Sequence, residues 1–167
     1  QPAQQLHLLA LQAHAGEQPA HALHETSRFL RIEEAAGDGR AFEVIAIDDG
    51  STDGSRRVLR RLEGEGFLRL LHGHGRGAAA AINLGIRAAS HPIICQVDQD
   101  VILQRGWLTE LLREFDDGDV AAVQGHYITR PGAGFWARAM GRDLEHRYSM
   151  IRGRFVDHVC TGNTAYR

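Results

Sequence analysis

The chain has 167 residues, 43% of them hydrophobic and 24% charged, proportions that exclude a disordered, collagen-like or coiled-coil chain. Lys and Arg total 19 against 21 acidic residues, so the net charge is -2 and no bulk attraction to nucleic acid or anionic membrane follows. The length suits a single domain over residues 1–167 with a proper core.

Strand and helix patterns alternate along the chain. Leu6 to Ala13 is short and apolar, a candidate first strand, and a helix is expected between Pro19 and Ala36, stopped by Gly37-Asp38-Gly39. Phe42 to Ile47 reads as a strand ending on Asp48-Asp49-Gly50, and about Gly54 to Glu63 as a helix with Val58, Leu59 and Leu62 on one face. Phe67 to Leu71 is a third strand. A glycine-broken loop from His72 to Gly77 leads into a small-residue helix over Ala78 to Ala89, whose low bulk predicts close packing on a sheet. Pro92 to Val97 is the fourth strand and ends at Asp98-Gln99-Asp100. A helix over Trp107 to Phe115, a strand over Val120 to Tyr127 and a charged surface helix over Phe135 to Arg152 follow. Phe155 to Cys160 reads as a last strand, and Thr161 to Arg167 as a turn that starts a helix. The alternation implies an α/β fold, with a mostly parallel sheet covered by helices on both faces. In such sheets ligands bind beyond the carboxyl ends of the strands, so the two acidic strand ends point to one crevice.

Several chemistries are excluded. Every basic residue is arginine, which rules out a lysine Schiff base and a P-loop lysine within this chain. Cys95 and Cys160 are too few for a disulfide framework and too far apart in sequence for a zinc motif; both are expected to be buried free thiols. The ten histidines show no metal-ligand spacing, and no G-x-S-x-G occurs. No apolar run approaches the ~18 residues of a membrane span. The chain starts at Gln1 and stops at Arg167 directly after a polar motif, and is expected to be a piece of a longer protein.

Three constellations carry chemistry on their own residues. In Asp48-Asp49-Gly50-Ser51-Thr52-Asp53-Gly54 a helix cap explains Ser51, Thr52 or Asp53, but two adjacent carboxylates at a strand end suit a ligand with N–H or hydroxyl donors. In Asp98-Gln99-Asp100 the carboxylates at i and i+2 point to one side and can share a hard divalent cation, with a solvated turn as the alternative. Gly73-His74-Gly75-Arg76-Gly77-Ala78 precedes a helix and suits a pyrophosphate, with Arg76 adding charge. It also fits the dinucleotide fingerprint G-x-G-x-x-A, and Asp98 falls about 20 residues later, where a ribose acid would sit. A Rossmann-type NAD(P)-binding oxidoreductase domain is therefore a competing reading. It leaves Asp48-Asp49 and Asp100 unused, and its glycine loop follows the third strand instead of the first.

Four segments in order resemble the inverting glycosyltransferases of family 2, which have the GT-A fold. They are FEVIAIDDGSTDG from Phe42, GRGAAAAINLGI from Gly75, Asp98-Gln99-Asp100, and TGNTAYR from Thr161. The resemblance implies transfer of a sugar from a nucleoside diphosphate sugar, a UDP-sugar, to a hydroxyl acceptor with inversion, assisted by manganese or magnesium. By that resemblance Asp48 and Asp49 contact the base and ribose, Ala13 and His14 sit at the uracil ring, and Arg76 and Gly77 face the diphosphate. Asp98 lies by the ribose or the metal, Asp100 ligates the metal, and Gly162 and Asn163 line the acceptor side. The departures are equally specific. The family's P-x-Y-N-E segment reads QAHAGE here, and its lysine after Gly77 is Ala78. The catalytic base of the family lies downstream of the segment matched by TGNTAYR, which places it beyond Arg167; Glu145 and Asp157 match no base motif. A non-catalytic nucleotide-sugar-binding module is the remaining alternative. The expected location is the cytoplasm, with any membrane attachment supplied by flanking segments.

Overall fold

The computed structural model describes residues 42–98, 101–129, 132 and 134–167, together with the backbone of 6–13. The helix expected between Pro19 and Ala36 lies outside the described residues, as do His14 and Asp100. The described elements are β1 (Leu6–Ala13), β2 (Phe42–Asp48), α1 (Ser55–Gly64), β3 (Arg69–His72), α2 (Ala78–Ala88), β4 (Ile93–Val97), α3 (Trp107–Arg113) with a 3-10 turn over Glu114–Asp116, β5 (Ala122–Gln124), α4 (Phe135–Ser149) and β6 (Asn163–Tyr166).

The strands form one sheet in the order β3-β2-β1-β4-β6-β5. β1, β2, β3 and β4 pair in parallel, whereas β6 runs antiparallel to both β4 and β5. From β1 the chain moves outward to β2 and β3, then returns to place β4 on the other side of β1. The order therefore reverses between β1 and β4, which opens a crevice beyond their carboxyl ends.

Alternation along the strands builds two cores. Val44 and Ala46 of β2, with Ile93, Cys95 and Val97 of β4, face Leu59 and Leu62 of α1, Leu108, Leu111 and Leu112 of α3, and Phe115. Ile45 and Ile47, with Ile94, face Ala81 of α2 on the other side. Strands covered on both faces need continuous apolar runs, and FEVIAID and IICQV supply them. On α1 the arginines lie outside the buried Leu59 and Leu62 stripe, while on α2 the buried residues are Ala81 and Gly85, one turn apart, which lets the helix approach the sheet closely. Helix α4 is a surface element that exposes Phe135, Trp136 and Met140. No helix among the described residues is long and apolar enough to cross a membrane.

Three expectations change. The segment Phe155 to Cys160 forms no strand; Phe155 and Val156 are exposed, so its apolar residues have no sheet to join. The polar TGNTAYR segment, expected to start a helix, instead holds β6. Its burial is possible because its polar groups are partnered: Thr164 Oγ1 donates to the Cys160 carbonyl and the Asn163 amide is bonded at both ends. Cys95 is buried as expected, but Cys160 is exposed, because it lies in that irregular segment. Burial pushes the Cys95 thiol up to about 12, leaving it unsuited to nucleophilic work.

Candidate functional site

The carboxyl ends of the parallel strands collect most of the residues singled out in the sequence. Ala13, the last residue of β1, is paired with Asp48, the last residue of β2. Asp48 and Asp49 are adjacent but differ in role, because consecutive residues at a strand end point to opposite sides.

Asp48 is fully buried. Its Oδ1 accepts the Ser51 N–H at 2.8 Å and its Oδ2 accepts Arg56 Nε at 2.5 Å. His72 Nδ1 lies 4.0 Å from the same Oδ2. Burial by itself raises the pKa of this carboxyl, but the hydrogen bonds from Arg56 and Ser51 outweigh it and hold the group below its ordinary range. The result is a charged anchor that ties the loop after β2 to the first turn of α1. Arg56 is a residue that reading the sequence missed; its signal was an arginine one turn into a helix that follows an acidic strand end.

Asp49 is half-buried and turns to the glycine loop. Its Oδ1 accepts the Gly75 N–H and its Oδ2 the Gly77 N–H, each at 2.8 Å. Gly73 permits this approach, since a Cβ there would sit 2.2 Å from Asp49 Oδ1. The Gly73 N–H in turn donates to the Asp48 carbonyl at 2.9 Å. Gly75 and Gly77 have φ of 65° and 85°, a region that glycine enters without penalty. Asp49 thus holds the loop that delivers Gly77 to the N-terminus of α2, where helix geometry favours an anion. Arg76 is exposed on this loop.

Asp98 follows β4 and is exposed at the edge of the crevice. Its N–H donates to the Gly162 carbonyl at 3.0 Å. Gly162 immediately precedes β6, and the antiparallel register sets Asn163 opposite Val97. The segment expected on the acceptor side is therefore brought against Asp98, a residue expected on the donor side. Asn163 is buried, its Oδ1 accepting Trp107 Nε1 at 2.7 Å and its Nδ2 donating to the His126 carbonyl at 3.2 Å. Its side chain serves to join α3 and the segment after β5 to β6. Tyr166 Oη donates to Gln96 Oε1, a second side-chain link between β6 and β4.

Glu145, on α4, accepts the Thr129 N–H at 2.5 Å, and this bond holds its carboxyl below the ordinary range. Asp157 is exposed and paired with His158 at 2.6 Å, a contact that lowers its pKa too. Neither carboxylate has the raised pKa that suits a base at neutral pH. Among the described residues no cluster of three or more His, Cys, Asp or Glu side chains is placed to hold a metal ion.

The family profile described as glycosyl transferase family 2 matches residues 22–167. The pre-mycofactocin glycosyltransferase of Mycobacterium tuberculosis is 36% identical over 124 residues, covering 67% of this chain and 25% of that protein. The chain thus spans about a quarter of the length of that curated relative. Among solved structures, the mannosyltransferase PcManGT of Pyrobaculum calidifontis, in complex with GDP-Man and Mn2+, aligns with a TM-score of 0.61 at 23% identity, covering 76% of this chain and 36% of that one. TarS of S. aureus, residues 1–349 with UDP-GlcNAc, aligns with a TM-score of 0.53 at 15% identity, covering 78% of this chain and 36% of its own. At these identities the likeness carries the GT-A type α/β fold.

Proposed function

The chain belongs to glycosyl transferase family 2, and on that premise we propose that it is the donor-binding portion of an enzyme that transfers a sugar from a nucleoside diphosphate sugar, a UDP-sugar, to an acceptor hydroxyl with inversion. The observation that carries the reading is the placement of Asp49, the glycine loop and Asp98 at the carboxyl ends of parallel strands on the two sides of the point where strand order reverses.

In this reading the base and ribose lie beyond β1 and β2, against Ala13 and His14. Asp49 accepts from a base N–H or a ribose hydroxyl, and the backbone amides at the start of α2 together with Arg76 face the diphosphate. Asp48 acts through Asp49: its bonds to Ser51 and Arg56 fix the loop from which Asp49 projects. Asp98 and Asp100 provide hard carboxylate oxygens suited to manganese or magnesium. A site with one or two carboxylates suits a cation that takes its remaining ligands from phosphate and water. When bound, such a cation stabilises negative charge on the departing nucleoside diphosphate. The two solved relatives support the nucleotide-sugar class, one holding GDP-Man with Mn2+ and the other UDP-GlcNAc.

The dinucleotide alternative places its glycine loop at the first βα turn. Here the loop follows β3, at the edge of the sheet, and its amides are bonded to Asp49. Calorimetric titration with UDP, with and without manganese, and with NAD tests both readings. Metal-dependent UDP binding without NAD binding is the expected result. NAD binding that needs no metal would overturn the proposal.

A further inference from the structure

Gly162 occupies a position that its sequence motif does not explain. Its φ is 96°, in the left-handed region. A Cβ built on it would lie 2.4 Å from Asp98 Oδ2, 2.8 Å from Asp98 Cγ and 3.1 Å from Tyr127 Oη. The Asp98 carboxylate therefore rests against a bare α-carbon, while its own N–H donates to the Gly162 carbonyl. The turn is held firmly from behind. The Asn163 side chain is bonded to Trp107 and to the His126 carbonyl, and the Gly125 N–H donates to the Asn163 carbonyl at 2.8 Å. Gly125 is itself required, since a Cβ there would meet Asn163 Oδ1 at 2.3 Å. The nearest atoms that a side chain at position 162 would meet all belong to side chains, the Asp98 carboxylate first. Asp98 is exposed, so its carboxylate is the group that would move.

We propose that Gly162 is a positioning residue for the donor site: its missing side chain sets the orientation of the Asp98 carboxylate toward the nucleotide. The inference rests on the donor-site reading of Asp98 and moves Gly162 from the acceptor side to the donor side. It gives β6 a task beyond closing the sheet. Because β6 runs antiparallel to β4, it starts where β4 ends, so the turn before it can touch donor-side groups.

The test is a double-mutant cycle on the chain, using G162A, D98A and the double variant, read by calorimetric UDP binding in manganese and by thermal melting. The expected G162A loss is about tenfold or more in UDP affinity, D98A loses a similar amount, and the double variant is no worse than D98A, because residues acting as one unit are not additive. G162A binding UDP like the parent, or losses that add, would overturn the inference. If D98A itself binds UDP like the parent, the donor reading of Asp98 falls and takes the inference with it. If D98A is weakened and G162A is not, only the inference falls. Should G162A alone lack a cooperative melt, the double variant decides. Removing the carboxylate clears the added methyl, so a recovered melt supports the contact; a melt still absent points to backbone strain and overturns it.

Discussion

Asp48 and Asp49 show how far one residue's direction decides its use. Both stand at the end of β2, yet one is a buried anchor and the other holds the glycine loop. R56A leaves the Asp48 carboxylate buried with the Ser51 N–H as its remaining hydrogen bond, and should cost about 3 kcal/mol in urea unfolding. The pH dependence follows from the lowered Asp48 pKa. A carboxylate whose folded pKa lies below the unfolded value of ~3.9 stabilises the fold above that pH, and the contribution is lost as pH falls toward the folded value. Comparing unfolding at neutral pH with unfolding below pH ~3.9 should show a smaller acid loss in D48N than in the parent. An unchanged acid loss would show that the anchor contributes nothing. D49A removes both the acceptor for a ligand donor and the tie on Gly75 and Gly77. UDP binding should weaken by about 1.5–3 kcal/mol even without metal, and calorimetry against the parent checks it.

The elements follow from burial periodicity where the pattern is strong. On α1, Leu62 is fully buried in the core that α1 shares with β2, β3, β4 and α3. L62A should destabilise by about 2–5 kcal/mol, from lost transfer energy plus a residual cavity. On α2 the limit runs the other way. Ala81 is buried against Ile45, Ile47 and Ile94, so A81L should overpack and cost about 1–3 kcal/mol; denaturant midpoints measure both. β6 is the element that periodicity misread. Composition favoured a turn in TGNTAYR and a strand in the apolar Phe155 to Cys160 segment. Pairing with β4 and β5, and a hydrogen-bond partner for the Asn163 and Thr164 side chains, reversed that order.

At the scale of the molecule, the sheet order turns scattered motifs into one crevice. The metal-assisted reading predicts that D100A abolishes the manganese dependence of UDP binding without lowering the melting temperature; a variant that retains full metal dependence would refute that role. The sequence by itself determined the family, the alternating α/β class, and which strand ends carry acids, because apolar runs, glycine breaks and acidic strand ends are local signals. Only the tertiary structure decided that Asp48 is buried on Arg56, that Asp49 grips the glycine loop, that the TGNTAYR segment is a strand, and that Gly162 lies against Asp98. Each of these depends on a pairing or contact with a partner whose position is set by the folded sheet, and periodicity along the chain carries no record of that partner.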